Sequence, residues 1–255
     1  MIEKQIPNIV IGCVDDNQLV AGKGIEKLQN ANRNVIVGVL ENECKNHHKR
    51  FFTFQNEKRP YIILKWAETK DGFIAPKTKN EQKTVWISNE FSQQLVHKWR
   101  SEEHAILVGT NTAIADNPKL NVRTWGGKNP IRVVLDKNLR ISKEISVFDK
   151  SVKTIIFTEK PKKTEKNLIF EQIDFSKNIV LQICDVLYKN EIQSVIIEGG
   201  TQTLQTFIDE NLWDEARIFV GNSIFEEGIK VPKFNKSNFQ EVDIKGDKLF
   251  LILHS

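Results

Sequence analysis

The 255-residue chain has little of several things that would place it in other classes. Its three cysteines, Cys13, Cys44 and Cys184, are isolated and form no C-x-x-C pair, so neither a disulfide framework nor a thiolate zinc site is indicated. Buried free thiols are the expectation. Apolar runs are short, Val195 to Ile197 being typical, which excludes a helical membrane span; Met1 to Pro7 has no signal-peptide core, and a cytoplasmic protein without a membrane partner is expected. Lys and Arg number 37 against 33 Asp and Glu, and the resulting +4 is gathered in no basic block that could neutralise a run of polynucleotide phosphates. That points away from nucleic acid and toward small anions. His47, His48, His97, His104 and His254 form no H-E-x-x-H, no Ser sits in G-x-S-x-G, and neither G-x-G-x-x-G nor a Walker A run occurs. Metalloprotease, α/β-hydrolase, standard Rossmann and P-loop readings all lack their central residues, and no metal is expected.

What remains, 40% hydrophobic and 27% charged residues, suits a globular protein able to bury a core. Residues 1–57 carry seven Lys and Arg and seven Asp and Glu, so the whole positive surplus lies in residues 58–255. The first part reads as one β-α-β unit with a trailing helix: strands at Ile9 to Ile11 and Val35 to Val39, a Gly22-Lys23-Gly24 turn, and a helical stretch near Ile25 to Ala31. Such a unit has little core of its own and should pack on the second part or belong to a larger domain. The polar join Glu57-Lys58-Arg59-Pro60 sets the expected boundary between 57 and 58. Beyond it, strand-like runs at Tyr61 to Leu64, Ala105 to Val108, Ile131 to Leu135, Thr154 to Phe157, Ser194 to Ile197 and Ala216 to Val220 alternate with amphipathic stretches. Ile179, Ile183, Val186 and Leu187 show helical spacing, as do Leu204, Phe207 and Ile208. The pattern predicts an α/β fold with a mostly parallel sheet covered by helices on both faces. Val242 to Ile244 and Leu249 to Leu253, flanking Gly246-Asp247, predict a closing antiparallel hairpin.

In open α/β sheets ligands lie beyond the carboxyl ends of the parallel strands. The clusters there are Lys65-Trp66-Ala67, Gly109-Thr110-Asn111-Thr112, Asp136-Lys137 and Glu198-Gly199-Gly200. The last, at a strand-to-helix junction, is the most informative, because two glycines let an anion approach backbone N–H groups; an ordinary tight turn explains Gly-Gly alone equally well. Glu198 beside it would repel phosphate and fits a sugar hydroxyl or a nitrogen donor. Thr112 to Pro118, followed by Leu120 and Arg123, reads as a loop, on local evidence an Asn-Pro turn. Arg100 closes the amphipathic stretch from Phe91 and, taken alone, reads as a solvated helix end; with Arg123 on the same rim it makes a phosphate clamp conceivable. His47-His48 reads as a solvated helix face, and core packing explains most of Trp66, Trp86, Trp99, Trp125 and Trp213.

Taken in order, Arg59 to Ala67, Asp71 to Ala75, Trp86-Ile87-Ser88, His104 to Gly109, Asp116-Asn117-Pro118, Ile131 to Asp136 and Glu198-Gly199-Gly200 resemble the reductase domain of the bifunctional deaminase–reductases of riboflavin biosynthesis. Residues 1–57 look like the tail of the deaminase domain in the same family, through Val10-Ile11-Gly12, Val20 to Ile25 and Gly38 to Glu41. The chain lacks the H-x-E and P-C-x-x-C runs of a zinc deaminase, so deamination by it is not expected. The resemblance implies a dihydrofolate-reductase-like fold, a homodimer, and NADPH-dependent reduction of 5-amino-6-(5-phosphoribosylamino)uracil to its phosphoribitylamino form. It places Ala67, Trp86, Thr112, Asp116, Lys137 and the run Gly200, Thr201, Gln202, Thr203, Leu204, Gln205 and Thr206 on the NADPH side. Thr84, Arg100, Leu120, Arg123 and Glu198 fall on the side of a small phosphorylated pyrimidine, with Glu198 the residue nearest the chemistry. A dihydrofolate- or pterin-type reductase of the same fold and a non-catalytic nucleotide-binding remnant stay open as alternatives.

Overall fold

The computed structural model describes residues 1–17, 20–78 and 85–254. They form two compact units, Met1–Tyr61 and Ile62–Ser255. In the first, strands β1 (Asn8–Ile11) and β2 (Asn34–Val37) pair in parallel and are joined through helix α1 (Lys23–Asn30). Two short helices follow, α2 (Glu41–His47) and α3 (Lys49–Glu57). Few of this unit's side chains are buried, Ile9 and Phe54 among them, as expected of a segment too short to build a core. His47 and His48 are exposed. Cys13 and Cys44 are half-buried and only Cys184 is buried, so the expectation of three buried thiols holds for one of them.

The second unit is built on a sheet of nine strands. In chain order they are β3 (Tyr61–Glu68), β5 (Ala105–Gly109), β6 (Ile131–Leu135), β7 (Thr154–Thr158), β8 (Leu168–Gln172), β9 (Ser194–Ile197), β10 (Glu215–Val220), β12 (Phe239–Ile244) and β13 (Asp247–Leu253). A separate antiparallel ribbon pairs β4 (Phe73–Pro76) with β11 (Gly228–Lys230). Across the sheet the order is β12-β13-β10-β3-β9-β5-β6-β7-β8. The pairs β10–β3, β9–β5, β5–β6, β6–β7 and β7–β8 are parallel, and the edge is closed by the antiparallel hairpin β12–β13 and its pairing with β10. The crossovers run through helices α4 (Glu90–Glu102), α5 (Thr110–Asp116), α6 (Ile179–Lys189) and α7 (Thr201–Asp209).

Strands buried on both faces explain the continuous apolar runs. Ile62, Leu64, Leu107, Val133, Ile155, Phe157, Val195, Ile197 and Ile218 face the layer of α6 and α7, where Val180, Ile183, Leu187, Leu204 and Phe207 complete the core. The intervening strand residues turn to the opposite face. There Trp99 of α4 lies 5.4 Å from Phe219, and Arg217 sits 4.6 Å over Trp99 while its Nε donates to Glu215 at 2.7 Å. Trp66 and Trp213 are also buried, whereas Trp86 and Trp125 are exposed.

Several local expectations change. The stretch from Thr112 is no loop: α5 runs from Thr110 to Asp116 and stops at Asn117, whose left-handed φ of 43° suits asparagine, with Pro118 unable to continue it. Strand β3 extends to Glu68, four residues beyond the apolar run, because its outer end still pairs with β10. Strands β4, β8 and β11 lie outside the strand-like runs of the sequence.

Candidate active site

Side chains from β3 and from the last turn of α4 meet at Glu198. This residue follows β9 directly, and its N–H bonds to the Leu107 carbonyl of β5, which continues the parallel ladder one step past the strand. Arg100 reaches it from the last turn of α4: Nη2 lies 2.6 Å from Oε2 and Nε 3.4 Å from Oε1. Both side chains are close to nine-tenths buried, at 11% and 9% exposure, so Arg100 is not the solvated helix end that its position suggests in isolation. Burial would raise the Glu198 pKa, but Arg100 and then Lys65 outweigh it and hold the carboxyl below its ordinary range. Lys65, on β3, is pulled below the usual lysine range by burial, a shift opposed by Glu198 and reinforced by Arg100.

Arg123 joins from the loop after α5. Its Nη1 donates to Asn121 Oδ1 at 2.8 Å, and Arg100 Nη1 donates to the Asn121 carbonyl at 3.4 Å. The Arg123 pKa is lowered by burial and by Arg100. His97, one turn before Arg100 on α4, completes the group; burial, then Arg100 and Arg123, lower its pKa to about 4, so it is neutral at pH 7. Arg100 and Arg123 are brought together through Asn121, and their two guanidiniums offer the paired donors phosphate favours.

Beside this cluster two strand-to-helix junctions lie against each other. A Cβ on Gly199 would stand 2.5 Å from Val108 Cα and 2.8 Å from the Gly109 N, so only glycine lets β9 and β5 end in such close contact. Gly200 has a φ of 61°, and a Cβ there would fall 2.9 Å from Thr112 Oγ1. Neither α5 nor α7 has a side-chain cap on its first turn, and Thr201 Oγ1 is turned aside to the Lys230 carbonyl at 2.6 Å. The Gly200 cradle at the positive ends of two helices fits the pyrophosphate of a dinucleotide.

The expected residues fall as follows. Arg100 joins Glu198 directly and Arg123 through Asn121, Gly200 stands beside Thr112, and Thr201 turns to Lys230. Ala67 lies on β3 two residues past Lys65, and Trp86 is exposed before α4. Leu120, Thr203 and Leu204 are buried, backbone included, and Thr203 Oγ1 stands 2.4 Å from where a Cβ on Gly109 would be. Gln205 donates to Asp209 and Thr206 to the Gln202 carbonyl, both along α7. Asp116 ends α5. Lys137 is exposed at the end of β6, apart from the Glu198 group, and pairs with Glu159 at 3.2 Å. Thr84 lies outside the described residues. Lys65 enters the sequence reading only as a member of the Lys65-Trp66-Ala67 cluster at a strand end, and His97 only among histidines without a metal motif; the sequence gives neither of them a role.

The family model described as the RibD C-terminal domain matches residues 60–248. The chain is similar to the riboflavin biosynthesis protein RibD of Aquifex aeolicus, 35% identical across 94% of this chain and 68% of that one. It is also similar to the RibD of Actinobacillus pleuropneumoniae, 31% identical across 86% and 60%. The chain thus spans about two thirds of the length of such relatives or less. Among solved structures, the deaminase/5-amino-6-(5-phosphoribosylamino)uracil reductase of Thermotoga maritima superposes with a TM-score of 0.85 at 33% identity, covering 99% of this chain and 72% of that one. The riboflavin biosynthesis reductase of Saccharomyces cerevisiae shares the fold, with a TM-score of 0.61 at 18% identity across 81% and 98%.

Proposed function

The chain belongs to the RibD C-terminal domain family, and on that premise we propose that it reduces 5-amino-6-(5-phosphoribosylamino)uracil to 5-amino-6-(5-phosphoribitylamino)uracil with NADPH. The observation that carries the reading is the buried Arg100–Glu198 pair with Lys65 and Arg123 around it, next to the Gly199-Gly200 cradle. A bound nicotinamide supplies the hydride. In this reading Gly200, the first turn of α7 and Thr112 hold the pyrophosphate, with Ala67, Trp86 and Asp116 on the same side, and Lys137 meets the adenosine 2′-phosphate.

Arg100 and Arg123 take the ribose phosphate. Opening the ribosylamine breaks the bond from C1′ to the ring oxygen, and the buried Lys65 ammonium, made more acidic by its surroundings, gives that oxygen its proton. The resulting cationic C1′–N iminium lies against the Glu198 carboxylate, which stabilises the charge until hydride addition at C1′ removes it. One proton and one hydride are consumed, which balances the reduction. A cytoplasmic homodimer belongs to the same reading and rests on the family resemblance.

The test is absorbance at the NADPH band with purified protein and the phosphoribosylaminouracil. Loss of absorbance with the ribitylamino product supports the reading. Turnover of dihydrofolate instead would move the chain to a pterin-type reductase, and no turnover with any substrate would favour a binding remnant. The two arginines beside Glu198 favour the phosphorylated substrate over a pterin.

A further inference from the structure

The loop that carries Arg123 is tied to the helix that carries Arg100, and the tie at Arg123 itself is a histidine. Leu120, with φ of 50° and only 2% exposed, turns the chain back toward α4 after Pro118. The next residues are fixed one by one. Val122 N–H donates to Asn129 Oδ1 at 2.8 Å, the Asn121 carbonyl accepts from Arg100 Nη1, and the Arg123 N–H donates to His97 Nδ1 at 3.3 Å. His97 is 4% exposed and lies three residues before Arg100, on the same face of α4.

We propose that His97 is a positioning residue for anion binding: its imidazole, accepting at Nδ1, sets the backbone of Arg123 so that the Arg123 and Arg100 guanidiniums meet one phosphate group. The proposal rests on the reading of those two arginines as the clamp for the ribose phosphate.

The chemistry required of position 97 is narrow. The group must be buried, must accept a hydrogen bond in the direction of a backbone N–H, and must carry no charge beside two guanidiniums. A lysine or arginine there would repel both, and a carboxylate would pair with them and compete with the ligand. An imidazole protonated on Nε2 meets all three demands, and its lowered pKa keeps it neutral across the physiological range. An aliphatic side chain would fill the space but leave the Arg123 N–H without this partner, and the loop would lose its anchor to α4. A displacement of about 1 Å in a positioning group can cost on the order of a hundredfold when the bound geometry is demanding.

Titration calorimetry with ribose 5-phosphate on the full chain tests this. Arg123→Ala should weaken binding at least tenfold, and His97→Leu threefold to tenfold. His97→Asn, whose Oδ1 takes the place of Nδ1, should stay within about twofold of the parent. In turnover His97→Leu should raise KM for the phosphorylated substrate, leave kcat within about twofold, and leave KM for the dephosphorylated substrate unchanged. If His97→Leu fails to fold, His97→Gln, whose acceptor lies one bond too far out, replaces it with the same expected loss. Affinity in His97→Leu equal to the parent, or His97→Asn as weak as His97→Leu, overturns the role of His97 while leaving the clamp in place. Unchanged affinity in Arg123→Ala overturns the clamp itself.

Discussion

Arg100 and Glu198, 98 residues apart in the chain, are joined side by side through Nη2–Oε2 and Nε–Oε1 in a setting that water scarcely reaches. Removing one partner of a buried pair strands the other charge and typically costs about 3 to 5 kcal/mol. Glu198→Ala should therefore lower the unfolding midpoint more than Glu198→Gln, which keeps hydrogen-bonding atoms for Arg100. Both should lose most activity, because neither offers the carboxylate charge to the iminium. Thermal melts with steady-state rates check this; a Glu198→Gln variant of parental activity would remove Glu198 from the chemistry.

Lys65 is expected to act on kcat. Lys65→Met keeps a buried aliphatic stem but has no proton to give, so kcat should fall at least about tenfold with a smaller change in KM. Lys65→Arg should not restore it, since a guanidinium does not release its proton near neutral pH. Full rescue by arginine would show that only the positive charge at this position is used.

His97 makes stability depend on pH with a definite sign. Its folded pKa of about 4 lies below the ordinary 6.5, so the unfolded chain binds the extra proton first as pH falls. The stabilisation is complete above pH 6.5 and is lost between 6.5 and about 4, where it amounts to at most about 3 kcal/mol. Chemical denaturation across pH 4 to 7 should show the decline in the parent and a shallower one in His97→Asn. Equal slopes would mean that other groups carry the acid sensitivity.

Lys137→Ala should narrow the preference for NADPH over NADH, because its ammonium is the cation at the end of β6. The Lys137–Glu159 pair, 47% and 32% exposed, is screened and worth little to stability, so the melting temperature should hardly move. Comparing kcat/KM for the two cofactors in parent and variant decides it. An unchanged ratio would assign the 2′-phosphate elsewhere, with Arg140, whose Nη2 bonds to Asn111 at 3.3 Å, the next candidate.

How much the sequence revealed depended on the range of the forces involved. The central strands were legible because burial on both faces demands unbroken apolar runs such as Ile106 to Val108 and Ile155 to Phe157. Strand β4 was hidden because it ends in Pro76, and β8 because Glu171 and Gln172 break its apolar run. Helix α5 looked like a loop since Thr110, Asn111 and Thr112 favour turns as much as helix starts. In the site, Arg100, Arg123 and Glu198 were found through strand ends and resemblance. Lys65 stands in a strand-end cluster but neither it nor His97 has a role legible there, since what marks them is burial beside charges brought from distant parts of the chain.

In the proposed reaction the group around Glu198 reads a phosphorylated ribosylamine. The most direct measurement is kcat/KM for the phosphorylated and the dephosphorylated aminouracil with the parent protein and with Arg123→Ala. A charge-assisted hydrogen bond is worth roughly 1.5 to 3 kcal/mol, so Arg123→Ala should cost about tenfold to a hundredfold with the phosphorylated compound. With the dephosphorylated compound, already poor for the parent, the variant should be hardly worse. Equal losses on the two substrates would contradict the account and make Arg123 a structural or cofactor-binding residue.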